Sequence, residues 1–158
     1  MLSKSDVILI MNEIRQFVSG SEKATDEEIK GKIEEFILKD ARTAMLGFKE
    51  KIKFVDQLYY SIRKDLSILY PYSIDQEVTE IMVNGKDHIF IERFGNLERV
   101  DSAFISTEEL EEVIRRIAAR VHREINELNP IVDARLPDGS RINAVYKNIA
   151  LNGPILTI

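Results

Sequence analysis

Residues 133–145 read Asp-Ala-Arg-Leu-Pro-Asp-Gly-Ser-Arg-Ile-Asn-Ala-Val, and they bring two guanidinium groups face to face. Leu136-Pro137-Asp138-Gly139 suits a type I turn: Pro137 presets φ at the second position and Asp138 tolerates the third. Gly139 then takes the left-handed conformation of a three-residue hairpin loop. Closing the loop this way pairs Leu136 with Ser140, and therefore Arg135 with Arg141, on one face of the ladder. Like charges directly opposite each other are destabilising, and an anion between them would relieve the repulsion. Guanidinium forks match phosphate oxygens in bidentate fashion. Asp133 and Asn143 come next along the same face, so two readings stay open. In one, Asp133 reaches diagonally to Arg141 and the group is an ordinary surface ion cluster. In the other, Arg135 and Arg141 clamp a phosphate, with Asp133, Asn143 and Gly139 in support.

Other chemistries find less in the chain. No stretch fits the phosphate-binding loop G-x-x-x-x-G-K-[ST], and no G-x-S-x-G nucleophile turn occurs. His88 and His122 lack metal-ligand spacing, and without cysteine there is neither a disulfide framework nor a thiolate metal site. Glu108, Glu109, Glu111 and Glu112 form a charge run favoured by the dipole at a helix start, and we expect them on a solvated face. The chain has 22 basic against 27 acidic residues, a net charge of −5, which argues against nucleic-acid binding. No apolar run approaches the ~18 residues of a membrane span, and the N-terminus lacks a signal-peptide pattern. The expectation is a cytoplasmic chain with no direct membrane span.

The elements that must position the hairpin follow from periodicity. With 158 residues, 44% of them apolar, the chain can bury one good core, or a small domain plus a helical appendage. Residues 1–72 read as helices. One starts at Ser5 or Asp6 and carries Val7, Ile10, Ile14 and Phe17. A second opens on a Thr25–Glu28 capping box and carries Ile29, Ile33, Phe36 and Ile37. A third runs from Lys49 to Leu69, and Tyr70-Pro71-Tyr72 ends it. After residue 72 the pattern turns to strands: "EIMVNG", "HIFIER" and "LERV", separated by Asn84-Gly85 and Phe94-Gly95-Asn96 turns. Ser106 with Glu109 opens a long helix, expected to reach Asn126, with a buried stripe of Leu110, Val113, Ile114, Ile117, Val121 and Ile125. Arg116, Arg120 and Arg123 lie nearly opposite that stripe. The arginine hairpin follows, and "GPILTI" closes the sequence on an apolar strand, so we expect this segment to belong to a longer protein. The fold class expected is α+β.

The segments "EVTEIMVNGKDHIFIERFGNLERV", "NPIVDARLPDGSRINAV" and "GPILTI", with a helix after the first, resemble the N-terminal domain of type II/type IV secretion ATPases. The likeness points to the Tad (Flp) pilus-assembly, CpaF-like branch and covers about Val78 to Ile158. The resemblance implies a PAS-like sheet domain over residues 73–158, preceded by a variable helical region. It also implies a RecA-like motor domain elsewhere in the parent chain, holding ATP and magnesium. Partners implied are that motor domain, neighbouring subunits of a hexameric ring, and inner-membrane secretion or pilus platform proteins, through which the protein would sit at the membrane face. Matching motif positions makes Arg141, Arg135 and Arg123 the nucleotide-phosphate contacts. The segment alone, lacking the phosphate-binding loop, should not hydrolyse ATP. Where the family carries a proline pair after "NAV", this chain has Tyr146-Lys147-Asn148, and Glu124 stands where a basic residue often occurs. The alternative is a stand-alone PAS-like interaction or sensor module. A phosphate-binding loop beyond Ile158 would separate the two readings.

Overall fold

A computed structural model describes residues 2–20 and 23–158. The chain divides into two compact units, Met1–Ser67 and Ile68–Ile158. In the first unit, α1 (Lys4–Ser19) starts where the Ser3 hydroxyl accepts the Asp6 N–H at 3.1 Å. Its buried face is Ile10, Met11, Ile14 and Val18, while Phe17, expected on that face, is 53% exposed. Helix α2 (Asp26–Lys39) opens on the expected capping box. The Thr25 N–H donates to Glu28 at 2.8 Å, and the Glu28 N–H donates back to Thr25 Oγ1 at 3.2 Å. Ile29, Ile33 and Ile37 are its buried stripe.

Helix α3 (Phe48–Arg63) is shorter than its periodicity suggests. Lys64 leaves the helix in an extended conformation while its N–H still bonds to the Tyr60 carbonyl. Leu66 and Leu69 therefore do not prolong the helical stripe. Ion pairs brace this unit, among them Lys30 with Asp56 at 2.6 Å. Arg42 spans Asp40 and Glu13 at 2.5 and 2.7 Å, and Asp26 receives Lys64 at 2.7 Å and Arg63 at 3.3 Å. Tyr70, Pro71 and Tyr72, expected to close the helical region, instead form most of α4 (Tyr70–Ser73), which packs on the first strand of the second unit.

The second unit is a six-stranded antiparallel sheet with one long helix. Its strands are β1 (Val78–Asn84), β2 (Ile89–Arg93), β3 (Asn96–Arg99), β4 (Ile131–Arg135), β5 (Arg141–Val145) and β6 (Ile155–Thr157), in the order β3-β2-β1-β6-β5-β4. Phe94 and Gly95, both at positive φ (52° and 75°), join β2 to β3 in a two-residue turn of the kind that matches strand twist. The short β6 lies in the middle, bonded to β1 on one side and β5 on the other, and so joins the two hairpins into one sheet. Period-2 alternation buries Ile81, Val83, Ile89, Ile91, Val132, Ile142, Ala144 and Leu156 on one face. These residues and the stripe Leu110, Val113, Ile114 and Ile117 of α5 (Thr107–Arg120) supply the core.

Helix α5 stops at Arg120, short of the expected Asn126. His122 enters the left-handed region at φ 53°, its N–H bonds to the Ala119 carbonyl, and the Arg123 N–H bonds to Ala118. That is a Schellman closure with histidine in the place glycine usually takes. Arg123 therefore lies beyond the helix, and the arginine stripe ends at Arg120. At the helix start, Ser106 Oγ accepts the Glu109 N–H as expected, but the Glu109 carboxylate turns to the Ile105 N–H at 2.7 Å. Glu109 and Glu111 are buried, 7% and 4% exposed, which corrects the solvated face expected of the whole acidic run.

Candidate functional site

The hairpin forms as its turn residues dictate. The Leu136 N–H meets the Ser140 carbonyl at 2.8 Å, Gly139 takes φ 93°, and its N–H returns to the Leu136 carbonyl at 2.9 Å. Asp138 Oδ1 accepts the Ser140 N–H at 2.9 Å and fixes the corner. The register pairs Arg135 with Arg141 and Asp133 with Asn143. Alternation places Arg135, Asp133 and Ile131 of β4 on the face away from the core, with Arg141, Asn143 and Val145 of β5. Ladder pairing continues that face to Thr157 and Ile155 of β6.

The two arginines differ in what holds them. Asp133 takes Arg141 in a fork, Nε to Oδ1 at 3.0 Å and Nη2 to Oδ2 at 2.7 Å, across the diagonal. The hydrogen bonds from Arg141 hold the Asp133 carboxyl below its usual range, and Asp133 in turn raises Arg141. Arg135 donates from Nη1 to the Gly139 carbonyl at 3.4 Å, and among the described residues it forms no ion pair. Asp133 thus neutralises Arg141 alone and Asp138 is engaged in the turn, so Arg135 has no paired carboxylate among the described residues. Arg141 remains 67% exposed. Arg123 stands exposed in the turn after α5, and no hydrogen bond or ion pair among the described residues joins it to the hairpin. Asn143 is half-buried beside Thr157.

The far end of β5 carries a group that the sequence alone did not reveal. Glu111 of α5 accepts from the Tyr146 hydroxyl at 3.3 Å, with Lys147 Nζ at 2.9 Å and Arg115 Nη1 at 3.6 Å as ion pairs. The bond to Glu111 raises Lys147. These contacts pin the Tyr146-Lys147-Asn148 segment to the helix, and the Asn148 amide donates to the Glu127 carbonyl at 3.1 Å. Fixation by a buried carboxylate thus stands where the family resemblance led us to expect prolines. Beyond this segment, an open groove of about 600 Å³ lies between the sheet and the 149–152 loop, with Asn84, His88, Phe90, Ile149, Leu151 and Ile155 in its walls. Among the described residues no three His, Asp or Glu side chains gather to hold a metal ion.

The sequence model of the type II/IV secretion system protein family matches residues 63–153, more than half of the chain and the whole arginine hairpin. The chain belongs to the type II/IV secretion system protein family. Two uncharacterized proteins of Methanocaldococcus jannaschii, MJ0781 and MJ0900, are each 33% identical to it, over 111 and 109 residues. Those stretches cover 68% and 65% of this chain but only 15% and 20% of the relatives, so the chain spans a small part of their length. Among solved structures, the VirB11 ATPase of the Brucella suis type IV secretion system, in complex with sulphate, is similar at a TM-score of 0.53 and 29% identity. That likeness covers 60% of this chain and 28% of the VirB11 chain. The α+β sheet unit is thus a secretion-ATPase type of fold, and the hairpin lies within the segment that defines the family. No helix among the described residues is long and apolar enough to cross a membrane.

Proposed function

We propose that this chain is the N-terminal part of a ring-forming secretion or pilus-assembly ATPase of the Tad/Flp type. In this reading its sheet unit closes over ATP held by a RecA-like motor domain, and Arg141, Arg135 and Arg123 contact the phosphates. One observation carries it: Arg135 and Arg141 are direct cross-strand neighbours on the outer face of the sheet, and Asp133 pairs with Arg141 alone. The family relationship supports it, and the VirB11 structure holds sulphate, a tetrahedral anion of phosphate-like chemistry.

The residues fit the phosphate end of such a nucleotide. Asp133 holds Arg141 in its fork geometry while leaving it 67% exposed, so an incoming phosphate exchanges partners with a surface carboxylate rather than breaking a buried pair. Arg135, bonded only to a carbonyl at the limit of hydrogen-bond length, is ready to turn to the same anion. Ile131, Val145 and Ile155, on the same face, offer apolar surface to a docking domain. Bound ATP supplies the transferable phosphoryl group. This chain's share is to place positive charge against its oxygens and to exclude water by closing. The proposal assigns cradling of the β- and γ-phosphates and holding of magnesium to the motor domain, since the sequence has no phosphate-binding loop. Cytoplasmic placement at the inner-membrane face, with platform proteins as partners, belongs to the same proposal.

The test is steady-state ATP hydrolysis by the full-length protein with Arg135→Ala, Arg141→Ala and Arg123→Ala, each checked for ring assembly. The expected result is loss of turnover with assembly intact, largest for Arg141. Turnover indifferent to Arg141→Ala would overturn the reading, and so would a full-length protein without nucleotide hydrolysis.

A further inference from the structure

The turn between β2 and β3 is built on an ill-suited residue. A two-residue turn with both central residues at positive φ ordinarily takes Asn-Gly or Asp-Gly, because a bulky side chain crowds its own backbone there. Here Phe94 holds the first place at φ 52°, and it is 73% exposed, so packing within the sheet unit does not offset the strain. Leu97 on β3 is also exposed, and so is Ile74, which the bond from Arg93 Nη2 to Asp75 at 2.8 Å brings to the same end of the sheet. Leu128, Ile131, Ile149 and Leu151 of this unit are exposed too, and exposure by itself carries little. The strain at Phe94 and the charge around it set the hairpin tip apart.

That charge is mainly negative. Asp75, Glu77 and Glu98 share the guanidinium of Arg93, at 2.8, 3.9 and 3.8 Å. On the outer face Glu92 stands between Leu97 of β3 and Glu80 of β1, directly across from each. Glu92 accepts the Thr79 hydroxyl at 3.2 Å. Among the described residues neither Glu92 nor Glu80 has an ion-pair partner, Arg99 farther along β3 included. Like charges directly opposite each other destabilise a sheet, and a cation from outside would relieve this pair. Carboxylates repel anionic lipid and nucleic acid, and a chain of net charge −5 repels its own copies. We propose that the β2–β3 hairpin tip docks a basic, partly apolar polypeptide segment of a partner protein. Phe94 is the apolar anchor, with Leu97 and Ile74 beside it, and Glu80 and Glu92 supply the counter-charge. Aromatic side chains dominate the energy of such contacts, and complementary charge sets their specificity. The contact is independent of the nucleotide reading above.

The probe is a labelled amphipathic peptide of leucine and lysine, titrated with the whole chain and followed by fluorescence anisotropy, against a peptide with glutamate in place of lysine. Binding of the lysine peptide alone is expected, weakened by salt. It should fall about tenfold or more in Phe94→Asn, and separately in Glu80→Gln with Glu92→Gln. Phe94→Asn puts the residue that the turn prefers in place of the ring, so its thermal unfolding midpoint should rise while binding falls. Leu151→Ser, at an exposed site elsewhere in the unit, should leave binding unchanged. Binding that survives Phe94→Asn would overturn the proposal, and so would a lower midpoint in that variant, which would assign Phe94 to the fold. Failure to bind the lysine peptide, or an equal loss in Leu151→Ser, would overturn it as well. Self-association of the chain that Phe94→Asn abolishes would do the same, assigning the tip to a second copy.

Discussion

The two ends of strand β5 hold charge in opposite ways. At its start, Arg141 and Asp133 pair in the open, 67% and 46% exposed. Just past its end, Glu111 is 5% exposed beneath Lys147, Arg115 and Tyr146. A solvent-exposed pair contributes little to the fold because water and salt screen it. A buried carboxylate needs its partners, since removing them leaves a desolvated charge. The first end is therefore free to be spent on a ligand, while the second is committed to holding the chain in place. One strand presents a movable guanidinium from a fixed base.

Breaking each end in turn should separate these roles. On the proposed function the largest effect is expected from Arg141→Ala in the full-length protein, where loss of an arginine from a transferring phosphate would lower turnover about 10³-fold or more. The thermal unfolding midpoint should not move, and a matching loss of stability would show that the exposed end is structural after all. Next comes the fixed region. Gly85 sits at φ 67°, and a Cβ there would lie 2.3 Å from the Asn152 carbonyl oxygen, in the loop that leaves the β5 end. Gly85→Ala should cost roughly 3 kcal/mol or more, read by urea unfolding, because both the conformation and the backbone contact resist it.

Glu111→Ala should cost about 1–3 kcal/mol, by leaving the Tyr146 hydroxyl without its acceptor and Lys147 without its anchor. Faster amide exchange over residues 146–150 would accompany it, and a silent variant would mean that the segment is fixed by packing alone. A smaller effect tests a surface pair in the helical unit. Hydrogen bonds from Lys64, Tyr59 and Arg63 pull the Asp26 pKa from 3.8 to about 2. The folded value lies below the unfolded one, so this stabilisation is complete above about pH 4 and is lost as pH falls through 2. With Asp26 47% exposed, screening holds the effect below about 1 kcal/mol, visible as the difference between wild type and Asp26→Asn in acid unfolding. The smallest expected change is Asp133→Asn, which should leave the unfolding midpoint in place while freeing Arg141. Weak sulfate binding, followed by amide shifts at residues 135–141, should then tighten, and unchanged or weaker binding would show that Asp133 helps to build the site.

What could be read before folding was whatever neighbours in the chain decide together. Pro137, Asp138 and Gly139 determine a turn, the turn determines the register, and the register sets Arg135 against Arg141. The Thr25–Glu28 cap is equally local. The diagonal reach of Asp133 was one of two open possibilities, and the structure supplies that pair while leaving Arg135 without a carboxylate among the described residues.

The tertiary structure decided what depends on distant partners. Glu111 looks like a member of a solvated acidic run, and the signal that it is buried lies 35 residues away, in Tyr146 and the lysine after it. Periodicity carried α5 on to Asn126, because His122 does not announce the left-handed turn that glycine would. That early stop moves Arg123 off the helix. The place of β6 between β1 and β5 likewise cannot be read from "GPILTI", since an apolar strand states that it is buried but not between which neighbours. Turns and caps are closed by hydrogen bonds a few residues apart, so sequence encodes them directly. Burial and strand order are settled by which distant surfaces meet, and that information exists only once the chain has folded.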